Sequence, residues 1–253
     1  KGGDRGCIVV VQEPLACRGW GGTDGGKAGG CAGWWLECKE RQGELAEEKG
    51  IKLYGEMPRL GRNMVVQGSE AICHSKMLEQ HALPGHVIIG RDRHTPHSGA
   101  MGCLAFGVGT TAIFNSWLTK DVRLKVPASV LIRLNGPKPA NVTAKDFMLQ
   151  ILRQPYVKSG KAIGKIVEYA GEAVEALSID ERATMTNMAA EVGAFTGLIR
   201  PDGKAIDYLV RERGADRAEV AKLLDGLYSD PGAEYEEIID IDAASLQPMI
   251  ALP

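Results

Sequence analysis

The 253-residue sequence has no apolar run near the ~20 residues needed to cross a bilayer, and no charged, apolar and small-residue pattern of a secretory leader. A membrane-spanning reading is set aside, and the cytoplasm or an organelle matrix is the expected compartment. The sequence also lacks an excess of either charge. Thirty Lys and Arg against 32 Asp and Glu give a net charge of -2, without the basic field that nucleic acid or an anionic membrane surface usually requires. Neither is an expected partner, and an acidic ligand has to be met by local charges. Six cysteines form no C-x-x-C pair, which argues against a zinc site or a dense disulfide framework. What remains, 44% hydrophobic and 25% charged residues, can bury one large core or two modest ones.

Residues 1–44 differ from the rest. They hold four of the six cysteines (Cys7, Cys17, Cys31, Cys38) and three of the four tryptophans (Trp20, Trp34, Trp35), with repeated glycine doublets. Only Cys7 to Val11 shows a strand period. The cysteine spacings of ten, fourteen and seven fit no cluster or zinc motif. The expectation is an irregular leader over 1–44 and a regular α/β region over 45–253.

From Glu44 the pattern alternates. Glu44 to Lys49 reads as helix, IKLY as strand, GEMPRLGRN as loop, and the segment around His74 to His81 as a helix ending before Pro84 and Gly85. HVIIG is a strand. Gly102 to Thr119 alternates small and apolar residues, as a helix packed closely on a sheet does. PASVLIRLNG reads as a buried strand, and Thr143 caps a helix whose Phe147, Met148, Ile151 and Leu152 recur at helical spacing. KIVEYAG is a strand, Ser178-Ile-Asp-Glu181 a capping box opening a helix through ATMTNMAAEVGA, and TGLI a strand. Asp202 to Glu212 and Arg217 to Tyr228 read as helices, and EEIIDID as a strand. Such alternation predicts an α/β fold with mainly parallel strands.

The chemistry concentrates in His86 to Thr111, HVIIGRDRHTPHSGAMGCLAFGVGTT. A β-branched run stops at glycine, and a polar knot follows with Asp92, Arg93, His94, Thr95 and His97. Strand, polar turn and glycines are how α/β proteins present reactive side chains at a strand's carboxyl end. Taken alone, an Asp-x-His pair is more often structural than catalytic. Glu191 reads equally as a helix-edge charge and Asn187 as a cap. His81, His86 and His97 read as surface or loop residues, Cys73 and Cys103 as small buried residues, and Arg133 as a strand-end charge.

Four motifs occur in order: GRDRHTPHSGAMGCLAFGVGTT, NVTAKDFMLQIL, LSIDERATMTNMAAEVGAFTGLIRPD and YSDPGAEYEEIIDIDAASLQPMIALP. Over residues 45–253 the chain resembles the aconitase family, most closely its isopropylmalate dehydratase large-subunit and homoaconitase-type branch. The resemblance implies a three-layer α/β/α arrangement of aconitase-like N-terminal domains. It also implies a hydro-lyase that removes and re-adds water on a hydroxylated di- or tricarboxylic acid such as 3-isopropylmalate. Such chemistry needs a base, a Lewis acid and a proton donor for the departing hydroxide. In the family these are a [4Fe-4S] cluster with one open iron, Asp, His and Glu side chains, and a serine on a swivelling domain or small subunit. Carried over by position, Asp92, His94, His74 and Glu191 are the expected catalytic residues. Arg93, Thr95 and Asn187 are expected against the substrate.

Two departures from the family pattern stand out. Arg93 replaces a serine; it can bind an acidic substrate, pair with Asp92, or fill the cavity. If it fills the cavity, reversion to serine raises activity. The family's cluster cysteines, from a G-S-C-T-N segment and a later C-x-x-C, match nothing here, so no metal ligand is assigned and the α/β region reads as incomplete at its C-terminal end. The cluster and the serine are then expected from a further segment, a small subunit or a complementary fragment. Competing expectations are a cluster-less homologue serving as a binding or interaction module, and a nucleic-acid-binding relative, against which the neutral charge argues.

Overall fold

The computed structural model describes residues 9–11, 40–54, 56–61, 64–69 and 72–252. The four cysteines and three tryptophans of the first 44 residues lie outside that set. The chain divides into two compact units, residues 1–76 and 77–253.

In the first unit, strand β1 (Val9–Val11) pairs in parallel with β2 (Lys52–Tyr54), and residues 40–49 form helix α1 between them. Strands β3 (Glu56–Gly61) and β4 (Met64–Ser69) form an antiparallel hairpin with Gly61 opposite Met64. The loop expected over GEMPRLGRN is therefore corrected to a strand. Pro58, which has no N–H to donate, is tolerated because both strands of a two-stranded ribbon are edges. Helix α2 (Cys73–Gln80) leads from the first unit into the second.

The second unit begins with β5 (Val87–Gly90), continues through a 3₁₀ turn at Thr95–Met101, and returns in β6 (Leu104–Gly107), parallel to β5 with Gly90 opposite Gly107. Helix α3 spans Thr110–Thr119. The single helix expected over 102–119 is thus corrected: its first part is a strand. A four-residue apolar run such as LAFG cannot be assigned from periodicity, and here pairing with β5 decides. Next come β7 (Ser129–Asn135), α4 (Ala144–Leu152), α5 (Pro155–Lys158), β8 (Ile166–Ala170), α6 (Glu172–Ala176), α7 (Ile179–Asn187), α8 (Ala189–Val192) and β9 (Thr196–Ile199). Helices α9 (Gly203–Arg213) and α10 (Arg217–Leu223) and strand β10 (Glu237–Asp242) complete the unit. The helix expected to run on through 194 breaks at Met188. That expected to reach Tyr228 ends at Leu223, shortly before Gly226 takes a positive φ of 75°.

Strands β10, β7, β8 and β9 form one sheet in that order, every pair parallel. Alternate residues of β7 (Val130, Ile132, Leu134) enter a core with Phe147, Met148 and Ile151 of α4 and Leu177, Met185 and Val192. This is the period of two meeting the helical period of 3.6. On the opposite face of β7, Arg133, expected at the strand end, lies within the strand and forms a two-point pair with Asp240, Nε to Oδ1 2.7 Å and Nη2 to Oδ2 2.8 Å. A second core joins Ala100, Met101, Cys103 and Ala105 to Ile179, Ala183 and Leu209. Cys103 is buried, its thiol pushed up to about 12 by burial, and it donates to the Leu83 carbonyl at 3.2 Å. Cys73, expected to be buried as well, is half-buried. Among the described residues no helix is long and apolar enough to cross a membrane.

Candidate functional site

The polar knot is built by hydrogen bonds to a single aspartate. After β5 ends at Gly90, the Asp92 carboxylate accepts from the His94 backbone N–H (2.6 Å) and lies 3.0 Å from His94 Nδ1 through the same Oδ1. Its backbone carbonyl accepts from the Thr95 hydroxyl (2.6 Å) and the Thr95 N–H (3.2 Å). Two glycines let the turn sit this close to the strand ends. A Cβ on Gly107 would stand 2.4 Å from the Asp92 carbonyl oxygen, and one on Gly90 would stand 2.1 Å from the Thr95 hydroxyl. Both are separations that heavy atoms cannot adopt, so the glycines at the paired ends of β5 and β6 are steric requirements of the knot.

The other ring nitrogen of His94 reaches across the unit. Nε2 lies 3.2 Å from Oε1 of Glu191 on α8, ninety-seven residues away. The imidazole is thereby held between two carboxylates. A neutral imidazole has one N–H and can satisfy one of them; an imidazolium donates to both. The arrangement therefore suits a histidine that carries a proton at Nε2 and can give it up while Asp92 keeps hold of Nδ1–H. All three side chains remain open to solvent, at 26%, 54% and 35% exposure for His94, Asp92 and Glu191.

Asn187, at the end of α7, places Nδ2 3.3 Å from Nδ1 of His97, and the neighbouring Thr186 hydroxyl donates to the His97 carbonyl at 2.8 Å. An amide NH₂ only donates, so in this orientation of Asn187 the His97 Nδ1 is the acceptor. His97, expected as a loop residue near the knot, is therefore the tie between the knot and α7. Its signal in the sequence was only its distance of three residues from His94.

The remaining candidates divide. Thr95, expected against the substrate, is 6% exposed with its hydroxyl bonded to the Asp92 carbonyl, so in the structure it fastens the turn. Arg93 is exposed. His74 belongs to the first unit, in the opening turn of α2. A [4Fe-4S] cluster takes three or four thiolates. The thiols among the described residues are Cys73, in the first unit, and Cys103, which is buried and strongly disposed to stay protonated. The described residues do not supply a cluster's ligand set.

The fold and this site define an α/β protein with an Asp–His–Glu set at the carboxyl end of a parallel strand. The aconitase family (aconitate hydratase) matches residues 44–253, and the chain belongs to that family. It is 38% identical over 169 residues to the 3-isopropylmalate dehydratase large subunit of Streptococcus gordonii, covering 66% of this chain and 36% of that protein. To the 3-isopropylmalate dehydratase large subunit 1 of Pyrococcus abyssi it is 36% identical over 218 residues, 86% of this chain and 47% of that protein. The chain thus spans between about a third and a half of the length of these relatives.

Proposed function

We propose that the chain is part of a hydro-lyase of the 3-isopropylmalate dehydratase type, acting on a hydroxylated di- or tricarboxylic acid in the cytoplasm or an organelle matrix. The observation that carries this reading is the His94 imidazole held between Asp92 and Glu191. Dehydration breaks a C–O bond whose oxygen leaves well only as water, so a proton must arrive as the bond lengthens. His94 gives that proton from Nε2. Asp92 retains Nδ1–H and fixes the ring, and Glu191 orients Nε2 until the substrate hydroxyl takes its place. The C–H proton goes to a base on another segment, the serine that the family resemblance implies.

Arg93 is the carboxylate-binding group in this reading. Arg93 is exposed and lies between Asp92 and His94 in sequence, and a guanidinium can take a carboxylate at two points. Asn187, held against His97, adds a polar edge, Thr95 acts by holding Asp92, and His74 keeps the catalytic role that the family resemblance implies. The cluster, the serine and a small subunit or complementary fragment are supplied from outside the described residues, as relatives named large subunits suggest. Residues 45–253 are the family region in this reading, and the leader over 1–44 contributes β1 to the pairing with β2.

The test is hydration of isopropylmaleate and of cis-aconitate by the full chain, completed anaerobically with a small subunit, iron and sulfide. Turnover of either supports the reading, and turnover of neither by a correctly assembled complex overturns it. Arg93→Ser is expected to raise KM about tenfold, the scale of one charged hydrogen-bonded contact. A rise in activity instead would return Arg93 to the obstructing role.

A further inference from the structure

The Asp–His–Glu set joins two parts of the second unit. One part is β5, the knot, the 3₁₀ turn and β6, which carries His94; the other is α7, α8 and β9, which carries Glu191. Two fully buried threonines of the second part bond the first: the Thr186 hydroxyl donates to the His97 carbonyl at 2.8 Å, and the Thr196 hydroxyl to the Ala105 carbonyl at 2.5 Å. Gly99 lets the parts close on one another, because a Cβ there would stand 1.9 Å from the Gly197 carbonyl oxygen and 3.4 Å from Thr186 Cγ2. Of the two threonines, Thr186 is the one tied to both ends of the site. On one side the His97 N–H donates to the His94 carbonyl at 3.0 Å, so a single turn separates the bonded carbonyl from the imidazole. On the other, the Met188 N–H donates to the Thr184 carbonyl and the Glu191 N–H to the Met188 carbonyl, each at 3.1 Å, so hydrogen-bonded backbone runs from Thr186 to Glu191. The 3.2 Å contact of His94 Nε2 with Glu191 closes a loop whose other crossing is Thr186 on His97, with the Asn187–His97 contact beside it.

We propose that Thr186 is a positioning residue, whose bond to the His97 carbonyl holds Glu191 within reach of His94 Nε2. A β-branched side chain is stiff at χ1, so its hydroxyl is fixed relative to α7 and fixes the turn in its place. Without the donor the His97 carbonyl loses its hydroxyl partner, and the turn and helix shift to satisfy it. Glu191, beyond the break at Met188, then loses its defined distance to the imidazole. The catalytic meaning rests on the reading of His94 as proton donor, but the positioning is testable without turnover.

The experiment follows the His94 imidazole ¹⁵Nε2 resonance in the full chain. In the parent, Glu191→Gln moves it, because the carboxylate beside Nε2 is removed. In the Thr186→Val chain, which keeps the methyl packing and lacks the donor, the same substitution moves it by less than about half as much, since the two groups are already uncoupled. Thr186→Ser restores the full response. Thr196→Val supplies the control: it removes the same kind of bond, lowers the folding equilibrium constant by a similar factor of about fivefold to tenfold, and leaves the response intact. A full response in Thr186→Val overturns the proposal, as does an equal loss in Thr196→Val, which would make Thr186 one of two general fasteners. Thr186→Cys, a weaker donor of similar volume, replaces Thr186→Val if the latter fails to fold. In the completed complex, Thr186→Val is expected to lower kcat about tenfold with KM nearly unchanged, the scale of a small misplacement. The expected resonances in a parent complex without turnover leave the positioning standing and remove only the hydro-lyase reading.

Discussion

Helix α7 carries one ionic constellation near its start and leads to another just past its end, and the two are built oppositely. Arg182 is completely buried. Its Nη2 donates to Asp202 at 2.6 Å and to the Glu175 carbonyl at 2.9 Å, and so joins the end of α6, the body of α7 and the start of α9. Lys204 adds three bonds from Nζ to the carbonyls of Glu175, Ala176 and Leu177, closing the C-terminal end of α6. The Asp92–His94–Glu191 set uses the same kinds of groups but leaves each a quarter to a half exposed. A buried guanidinium with a partner is fixed by the large cost of separating it. An imidazole open to solvent can exchange a proton and be reached by a ligand. Exposure, more than residue type, separates the architectural pair from the set proposed to do chemistry.

Breaking the buried pair gives the largest stability effect expected. Asp202→Asn leaves Arg182 buried without its counter-charge, which costs about 3 kcal/mol for a fully buried pair. Because Asp202 is itself 36% exposed, solvent screening reduces this to about 2 kcal/mol. Chemical denaturation measures it, and a midpoint equal to the parent's would reverse the assignment. Acid unfolding examines the same contact by another route. Burial alone would raise the Asp202 carboxyl, but the Arg182 guanidinium and the backbone N–H groups of Lys204 and Ala205 bring it below the usual carboxylate range. Burial likewise opposes, and the Met249 N–H with the Thr143 hydroxyl and N–H outweighs it, at Asp146. A carboxyl more acidic when folded stabilises the folded state above its unfolded value near 4 and loses that contribution as pH falls through the depressed value. Stability should therefore hold from pH 7 to about 5 and decline below about 4, with a smaller decline in Asp202→Asn.

Asp146→Ala is the next largest. Asp146 accepts from the Thr143 N–H and hydroxyl, both at 2.7 Å, and from the Met249 N–H at 2.7 Å, so its removal uncaps α4 and releases the segment after β10. About 1 kcal/mol is expected. Smallest of all, Glu191→Gln should leave the unfolding midpoint within about 0.5 kcal/mol of the parent, because the site it belongs to is open. A large loss there would make the Asp–His–Glu set architectural and erase the contrast.

How much of this was legible in the sequence differs by element. The cap at Thr143, the capping box at Ser178 and the apolar run of β7 were readable because each is a local signal with its own mechanism. β6 was not, since four apolar residues after a glycine acquire strand identity only from β5 beside them. Asp92 and His94 were visible as an Asp-x-His after a strand, but nothing local connects them to Glu191, which the parallel sheet brings back after ninety-seven residues. The structural roles of Thr95 and His97 were hidden for the same reason. Each depends on a partner placed by packing: the Asp92 carbonyl for one, Asn187 and Thr186 for the other.

The central claim, that His94 is chemical while Arg182 is architectural, meets its most direct test in one rate. Isopropylmaleate hydration should be measured for the completed complex carrying His94→Gln, at equal folded concentration to the parent. Loss of a proton donor predicts a fall of about 10²- to 10⁴-fold. A rate within a few-fold of the parent would contradict the account.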